Sequence, residues 1–280
     1  MPSIIGRIYL KCSPQYRQAL SIIRKYFDRI VEQEQKKTEE SIGERRTNLI
    51  ASLINSLQEN EKKETIKPTD KKKGLSHDEV FDEMLLFLVG SYETTSAALA
   101  WFIHLMSKNP RVQAKIKAEL GDNKQHRLSI EQLESLEYLN CVIQEVLRFA
   151  PPSISTIRSV TIDDRLPASG IQLHKGDEIW INIFNLTRDK RYWKIDPDLF
   201  YPERFQSEDK DHHPYALIPF GSGHRQCIGQ VLALLELKAI AVRLMQHVTF
   251  GDGGLEVNAG GFNAKGILIP KKIGVTITFD

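Results

Sequence analysis

The chain has 280 residues, with 38 Lys and Arg against 36 Asp and Glu and a formal net charge of +2. That length holds one large domain or two small ones, and the near-neutral balance gives no case for nucleic acid as a partner. Cys12, Cys141 and Cys227 are far apart, odd in number and without a C-x-x-C pair, which argues against a disulfide framework or a zinc ribbon and fits a reducing compartment.

Met1 to Leu10 has no sustained apolar core, so no signal peptide is expected. Leu20, Ile22, Ile23, Tyr26, Phe27, Ile30 and Val31 fall near helical spacing and predict an amphipathic helix from Tyr16 to about Gln35. A second helix is expected from Arg45 to Leu57. Gln58 to Gly74, with Lys71, Lys72 and Lys73, reads as a solvated loop, with a membrane or partner patch as the minority reading. Ser76 with Glu79 forms a capping box that starts a long helix reaching about Asn109, where Pro110 follows. A short helix is expected from Arg111 to Leu120. Ser129 with Gln132 is a second capping box, and Leu139 to Phe149 is a helix stopped by Pro151 and Pro152. Thr156–Ile162, Gly170–Leu173 and Glu178–Ile183 read as short strands. Asn185 to Pro219 is mostly irregular, a length that inside a domain usually has a function. Gln230 to His247 is helix, and Gly266 to Phe279 alternates like a strand. No internal repeat and no linker divides the chain.

Chemistry concentrates in a few stretches. Gly90-Ser91-Tyr92-Glu93-Thr94-Thr95-Ser96 interrupts a helix that is otherwise apolar nearly all round. A transmembrane span is a fair first reading of such a helix, but Glu93 at mid-helix and the lack of a second comparable span argue against it. An ionisable residue there points to a functional site; the alternative is a Glu and two Thr that satisfy local carbonyls in a soluble core. Glu145 and Arg148 share one helix face at i and i+3. By default such a pair is a surface ion pair worth at most about 1 kcal/mol, but Val142, Ile143, Val146, Leu147 and Phe149 flank it, and burial would require a further partner. Near the C-terminal end, Pro219 to Gly229 places Cys227 in a glycine-rich loop at the mouth of a helix. Backbone N–H groups and the helix dipole stabilise a thiolate there, glycines let the backbone approach a flat ligand, and Arg225 offers a cation to an anionic group. A lone cysteine in this setting is most often a small buried hydrophobe. His212 and His213 lack a spaced third ligand and are expected to be solvated, as is His224.

These stretches together resemble the cytochrome P-450 family. Phe220, Gly223, Arg225, Cys227 and Gly229 fill every fixed position of the haem-thiolate loop F-x-x-G-x-R-x-C-x-G. Gly90, Glu93, Thr94 and Thr95 match the oxygen-binding motif, with Ser91 where the family usually has Gly. Glu145 and Arg148 match E-x-x-R, and Pro202-Glu203-Arg204-Phe205 matches the P-E-R-F segment. The resemblance implies a mainly α fold with small β-sheets, residues 1–280 forming a single domain that is the C-terminal part of the family's catalytic domain. It implies heme b (iron protoporphyrin IX) ligated by Cys227, propionate contacts at Arg158 and Arg225, proton delivery by Glu93 and Thr94, and a structural triad of Glu145, Arg148 and Arg204. Pro152–Ile157 and the turn around Ala264–Ile267 would line the substrate pocket. The implied activity is a haem-thiolate monooxygenase acting with O2 on an apolar small molecule, with electrons from an NADPH-dependent reductase at the cytosolic face of the endoplasmic reticulum membrane. Two alternatives stand beside it, a haem-thiolate isomerase or dehydratase, against which the Glu93-Thr94 pair argues, and an inactive remnant. Relative to the family the N-terminal part, with its membrane anchor, is expected to be absent, so apolar surface is expected around Phe87, Leu88 and Trp101.

Overall fold

The computed structural model describes residues 12–40, 52–53, 75–121 and 128–280. The chain divides into two compact units, Met1–Gly90 and Ser91–Asp280, each with its own core.

In the first unit, helix α1 runs Pro14–Glu40, longer at both ends than its apolar periodicity predicts. Its Phe27 and Val31 are buried with Val80 and Phe81 from the start of helix α2, His77–Lys108. Phe27 meets the rings of His77 and Phe81 edge-on, both at 5.2 Å, a favoured aromatic geometry. Arg24 pairs with Asp78 at 2.9 Å and lies 4.5 Å above the Phe81 ring. Both arms of the first capping box form: Ser76 N–H donates to Glu79 Oε2 at 2.7 Å, and Glu79 N–H donates to Ser76 Oγ at 3.3 Å. The helix expected over Arg45–Leu57 lies outside the described residues, except for Ser52 and Leu53, which are helical. The lysine-rich loop lies outside them entirely.

By length and composition α2 could cross a membrane. Its C-terminal half instead enters the core of the second unit, where Ala98, Trp101, Phe102, Leu105 and Met106 are buried. Trp101, expected at an exposed surface, is only 8% exposed, because its indole N–H donates to Leu268 O at 3.0 Å. Leu88, expected beside it, is 60% exposed.

Helix α3 (Pro110–Leu120) opens on a proline and ends at Gly121, where φ is +62°, a conformation that glycine takes without strain. The Ser129 capping box starts the short α4 (Ile130–Glu134). Helix α5 (Glu137–Phe149) buries nine of its 13 residues, which makes it the axis of this unit; each buried Leu, Ile or Val contributes about 1.5–3 kcal/mol. It stops at Ala150, whose backbone has left the helical region before Pro151. Facing it is α7 (Gln230–His247), which contributes Leu237, Ala241, Val242 and Met245 to the same core. The short α6 (Ile183–Leu186) lies between them in sequence.

The described strands form two-stranded antiparallel ribbons. Strand β1 (Ser155–Ser159) pairs with β4 (Glu178–Asn182), with Arg158 opposite Ile179. Strand β2 (Asp164–Arg165) pairs with β3 (Gln172–Leu173). Strand β5 (Val248–Asp252) pairs with β8 (Val275–Phe279), and β6 (Phe262–Lys265) with β7 (Ile267–Pro270), α8 (Leu255–Asn258) lying between β5 and β6. The strand expected over Gly266–Phe279 is thus two strands. They are separated at Gly274, where a Cβ on Gly253 would run into the Gly274 backbone and a Cβ on Gly274 would run into Val257.

Candidate functional site

The Cys227 loop is shaped by short backbone bonds. Gly221 N–H donates to Ile218 O at 2.9 Å, Gln226 N–H to Gly223 O at 3.0 Å and Cys227 N–H to Phe220 O at 2.9 Å. Gly221 and Gly223 hold φ near +73° and +71°, where a side chain would strain the turn. Gly229 caps α7, and a Cβ there would lie 3.9 Å from Cys227 Sγ. Cys227 is exposed, with the apolar side chains of Ile228, Val231 and Leu232 exposed beside it. Phe220 packs against the main core. Among the described residues Arg225 forms no ion pair, and His224 is exposed.

Arg158 is half-buried on β1 and donates only to neutral acceptors, Thr156 Oγ1 at 2.7 Å and Ile157 O at 2.9 Å. Among the described residues neither guanidinium has a carboxylate partner, and an exposed thiol, two such cations and an exposed apolar face are the side-chain types that a haem's iron, propionates and ring would need. Among the described residues no three His, Cys, Asp or Glu side chains converge as a metal centre.

At the middle of α2, Glu93 is exposed and Thr94 half-buried, and Ser96 Oγ donates to Glu93 O at 3.1 Å. Ser91 is exposed, and a Cβ on Gly90 would meet nothing within 4 Å. The two segments expected along a pocket are adjacent. Ser153 bridges Ile267, and Leu268 N–H donates to Pro152 O at 2.8 Å.

The structure brings Glu145, Arg148 and Arg204 together, all fully buried. Arg148 grips Glu145 with two bonds, Nε to Oε2 at 2.7 Å and Nη2 to Oε1 at 2.9 Å. Arg204 Nε reaches Glu145 Oε1 at 3.1 Å, and Tyr201 N–H reaches the same oxygen at 2.8 Å. The remaining donors of Arg148 go to the carbonyls of Thr187, Pro197 and Leu199, and those of Arg204 to Ile195, Asp196 and Leu199. Two arginines therefore organise the irregular stretch between α6 and the Cys227 loop, and buried charge with all its donors used avoids the penalty of an unpaired ion.

Three further residues take roles that the sequence does not announce. Asp209 is 2% exposed and accepts from Arg204 Nη1 at 2.9 Å. Glu203 accepts from Lys115 at 2.6 Å, from Tyr138 Oη at 3.0 Å and from both Nη atoms of Arg111. Burial works to raise the Glu203 pKa, but hydrogen bonds from Arg111, Lys115 and Tyr138 outweigh it and hold the value at about 2, below the usual 4.5. His212, expected to be solvated, stacks on Trp193 with centroids 5.1 Å apart and planes at 22°. Its Nδ1 faces Asp209 O at 2.9 Å, and because a carbonyl only accepts, that nitrogen carries the proton.

The family model for cytochrome P-450 matches residues 2–272. The chain is 40% identical over 177 residues to cytochrome P-450 4V2 of Rattus norvegicus, covering 62% of this chain and 33% of that one. It is 31% identical over 229 residues to cytochrome P-450 3A14 of Cavia porcellus, covering 81% and 44%. With cytochrome P-450 9e2 of Blattella germanica it shares 36% over 173 residues, covering 60% and 32%. The chain thus spans about a third to under half the length of these curated relatives. With a family model matched over nearly its whole length, on a mainly helical fold with small sheets, the chain belongs to the cytochrome P-450 family.

Proposed function

We propose that this chain is part of a haem-thiolate monooxygenase that inserts one oxygen atom of O2 into an apolar small molecule. The observation that carries this reading is the Phe220–Gly229 loop, which presents the Cys227 thiol at the N-terminus of α7 beside an exposed apolar face and the cation of Arg225. Heme b, when bound, supplies O2 activation. The chain's own residues would bind and orient it, with Cys227 Sγ as the ligand to its iron and Arg225 and Arg158 turned to its two propionates. Glu93 and Thr94, in the middle of α2, would relay a proton from water, the Glu93 carboxylate handing it to Thr94 Oγ1. Electrons from an NADPH-dependent reductase and residence at the cytosolic face of the endoplasmic reticulum membrane complete this reading.

The test is the absorption spectrum of the reduced, CO-bound protein. A red-shifted Soret band is expected, lost in Cys227→Ser and kept in Cys12→Ser and Cys141→Ser. An unaltered band in Cys227→Ser would overturn the ligand assignment.

A further inference from the structure

Asp209 lies in a polar run, Glu208-Asp209-Lys210-Asp211, yet it is one of the most buried acids in the chain. Its carboxylate accepts three bonds: Lys194 N–H on Oδ1 at 2.7 Å, and on Oδ2 both Ile195 N–H at 3.3 Å and Arg204 Nη1 at 2.9 Å. Its backbone N–H donates to Arg204 O at 3.1 Å, and its carbonyl accepts from His212 N–H at 3.2 Å and from His212 Nδ1. One residue therefore closes the irregular stretch 194–209 on itself.

The charge count points the same way. Glu145, Arg148 and Arg204 alone would place one carboxylate and two guanidinium groups out of water, a net charge of +1. With Asp209 the buried group has two of each sign and is neutral. Arg188, half-buried beside it, serves the carbonyls of Phe149 and Phe184 instead. A buried net charge is far more costly than a neutral, fully bonded cluster, so Asp209 is what lets both arginines stay inside.

This cluster is physically continuous with the ligand loop. Arg148 and Arg204 lie 5.4 and 5.6 Å from the ring of Trp193, and Trp193 is buried with Phe205, Cys141 and Ala216. Leu217 packs on the same cluster. Ile218 and Phe220, immediately following, carry the carbonyls that hold Gly221 N–H and Cys227 N–H. Contiguous packing of this kind transmits position.

We propose that Asp209 is a positioning residue for Cys227: by neutralising and pinning Arg204 it fixes the segment from which the thiol-bearing loop springs. The role of Cys227 as ligand rests on the function proposed above, but the positioning can be read without haem. Asp209→Asn keeps the shape. It leaves one oxygen for Lys194 N–H and turns an amide NH₂ toward Arg204 and Ile195 N–H, donor against donor. In hydrogen–deuterium exchange on residues 1–280, the amides of Lys194, Ile195 and Cys227 should exchange roughly tenfold faster or more, the effect of one lost charge-assisted hydrogen bond, while the buried amides of Ala241 and Val242 in α7 keep their protection. Asp211→Asn, two residues on and exposed, should change neither. In haem-loaded protein Asp209→Asn should keep its haem while more of the reduced CO complex shifts to the band of a neutral thiol. Unchanged protection at Cys227 would overturn the proposal. So would an equal loss throughout α7, which would mark Asp209 as a general stability residue. A parent protein without any thiolate band would count against the haem-thiolate reading alone, leaving the exchange result to decide the positioning role.

Discussion

Replacing Glu145 with Ala would leave buried Arg148 without a carboxylate partner and Arg204 with Asp209 alone, a buried net charge of +1. Breaking such a cluster from one side costs roughly 3–5 kcal/mol, a large share of a domain's net stability. Urea unfolding should show that loss, together with little soluble, haem-loaded protein; a folded, loaded Glu145→Ala variant would contradict it. Glu203 makes a milder, pH-dependent contribution. Its folded pKa of about 2 lies below the ordinary 4.5, so its stabilisation is fully present above the unfolded pKa and is lost as pH falls through the folded one. Unfolding midpoints followed from neutral pH into acid should therefore drop between these two values, and Glu203→Gln should be less stable at neutral pH and flatter across that window. At α2, Thr94→Ala in a full-length protein should still bind haem and consume NADPH, with reducing power diverted to hydrogen peroxide. Loss of one positioned proton donor costs a factor of ~10² to 10⁴ in the step it serves, and product formed per NADPH consumed is the quantity to measure; an unaltered ratio would remove Thr94 from the proton path.

Elements differ in how plainly the sequence announces them. Helices α2, α3, α4, α5 and α7 are legible to within a few residues because their ends are set locally, by the Ser76 and Ser129 capping boxes and by Pro110, Pro151 and Gly121. Strands β5 and β6 are not legible. Their partners lie at 275–279 and 267–270, and five residues such as Val248–Asp252 carry little period of their own directly after a helix. The candidate site divides in the same way. The Cys227 loop and the Glu145–Arg148 pair are dense local patterns, whereas nothing local marks Asp209, whose neighbours are charged and whose pairing with Arg204 forms only once the loop has folded back. Gly274 shows how tight that non-local packing is. With Val257 already at the position a Cβ would take, Gly274→Ala should force the turn before β8 away from α8 and cost about 1–3 kcal/mol. Thermal unfolding would register this as a lowered midpoint, and an unchanged midpoint would mean the turn relaxes freely.

At the scale of the whole molecule, two apolar surfaces stand out. On α2, Leu86, Leu88, Val89 and Tyr92 are 64%, 60%, 50% and 71% exposed, and beside Cys227, Ile228 and Val231 are 87% and 81% exposed. Soluble monomers rarely leave contiguous patches of more than a few hundred Å² uncovered, and larger ones mark partner sites or drive aggregation. The chain also spans only about a third to under half of its relatives' length. Residues 1–280 expressed alone should therefore self-associate and hold haem weakly, with little or no turnover. Fusing to this chain the segments of a relative that it does not align with should raise haem per chain and favour a monomer. Sedimentation and haem content measure both effects directly. Steady, well-coupled hydroxylation by the isolated chain would show instead that the Cys227 loop, α2 and the buried arginine cluster suffice as a catalytic scaffold.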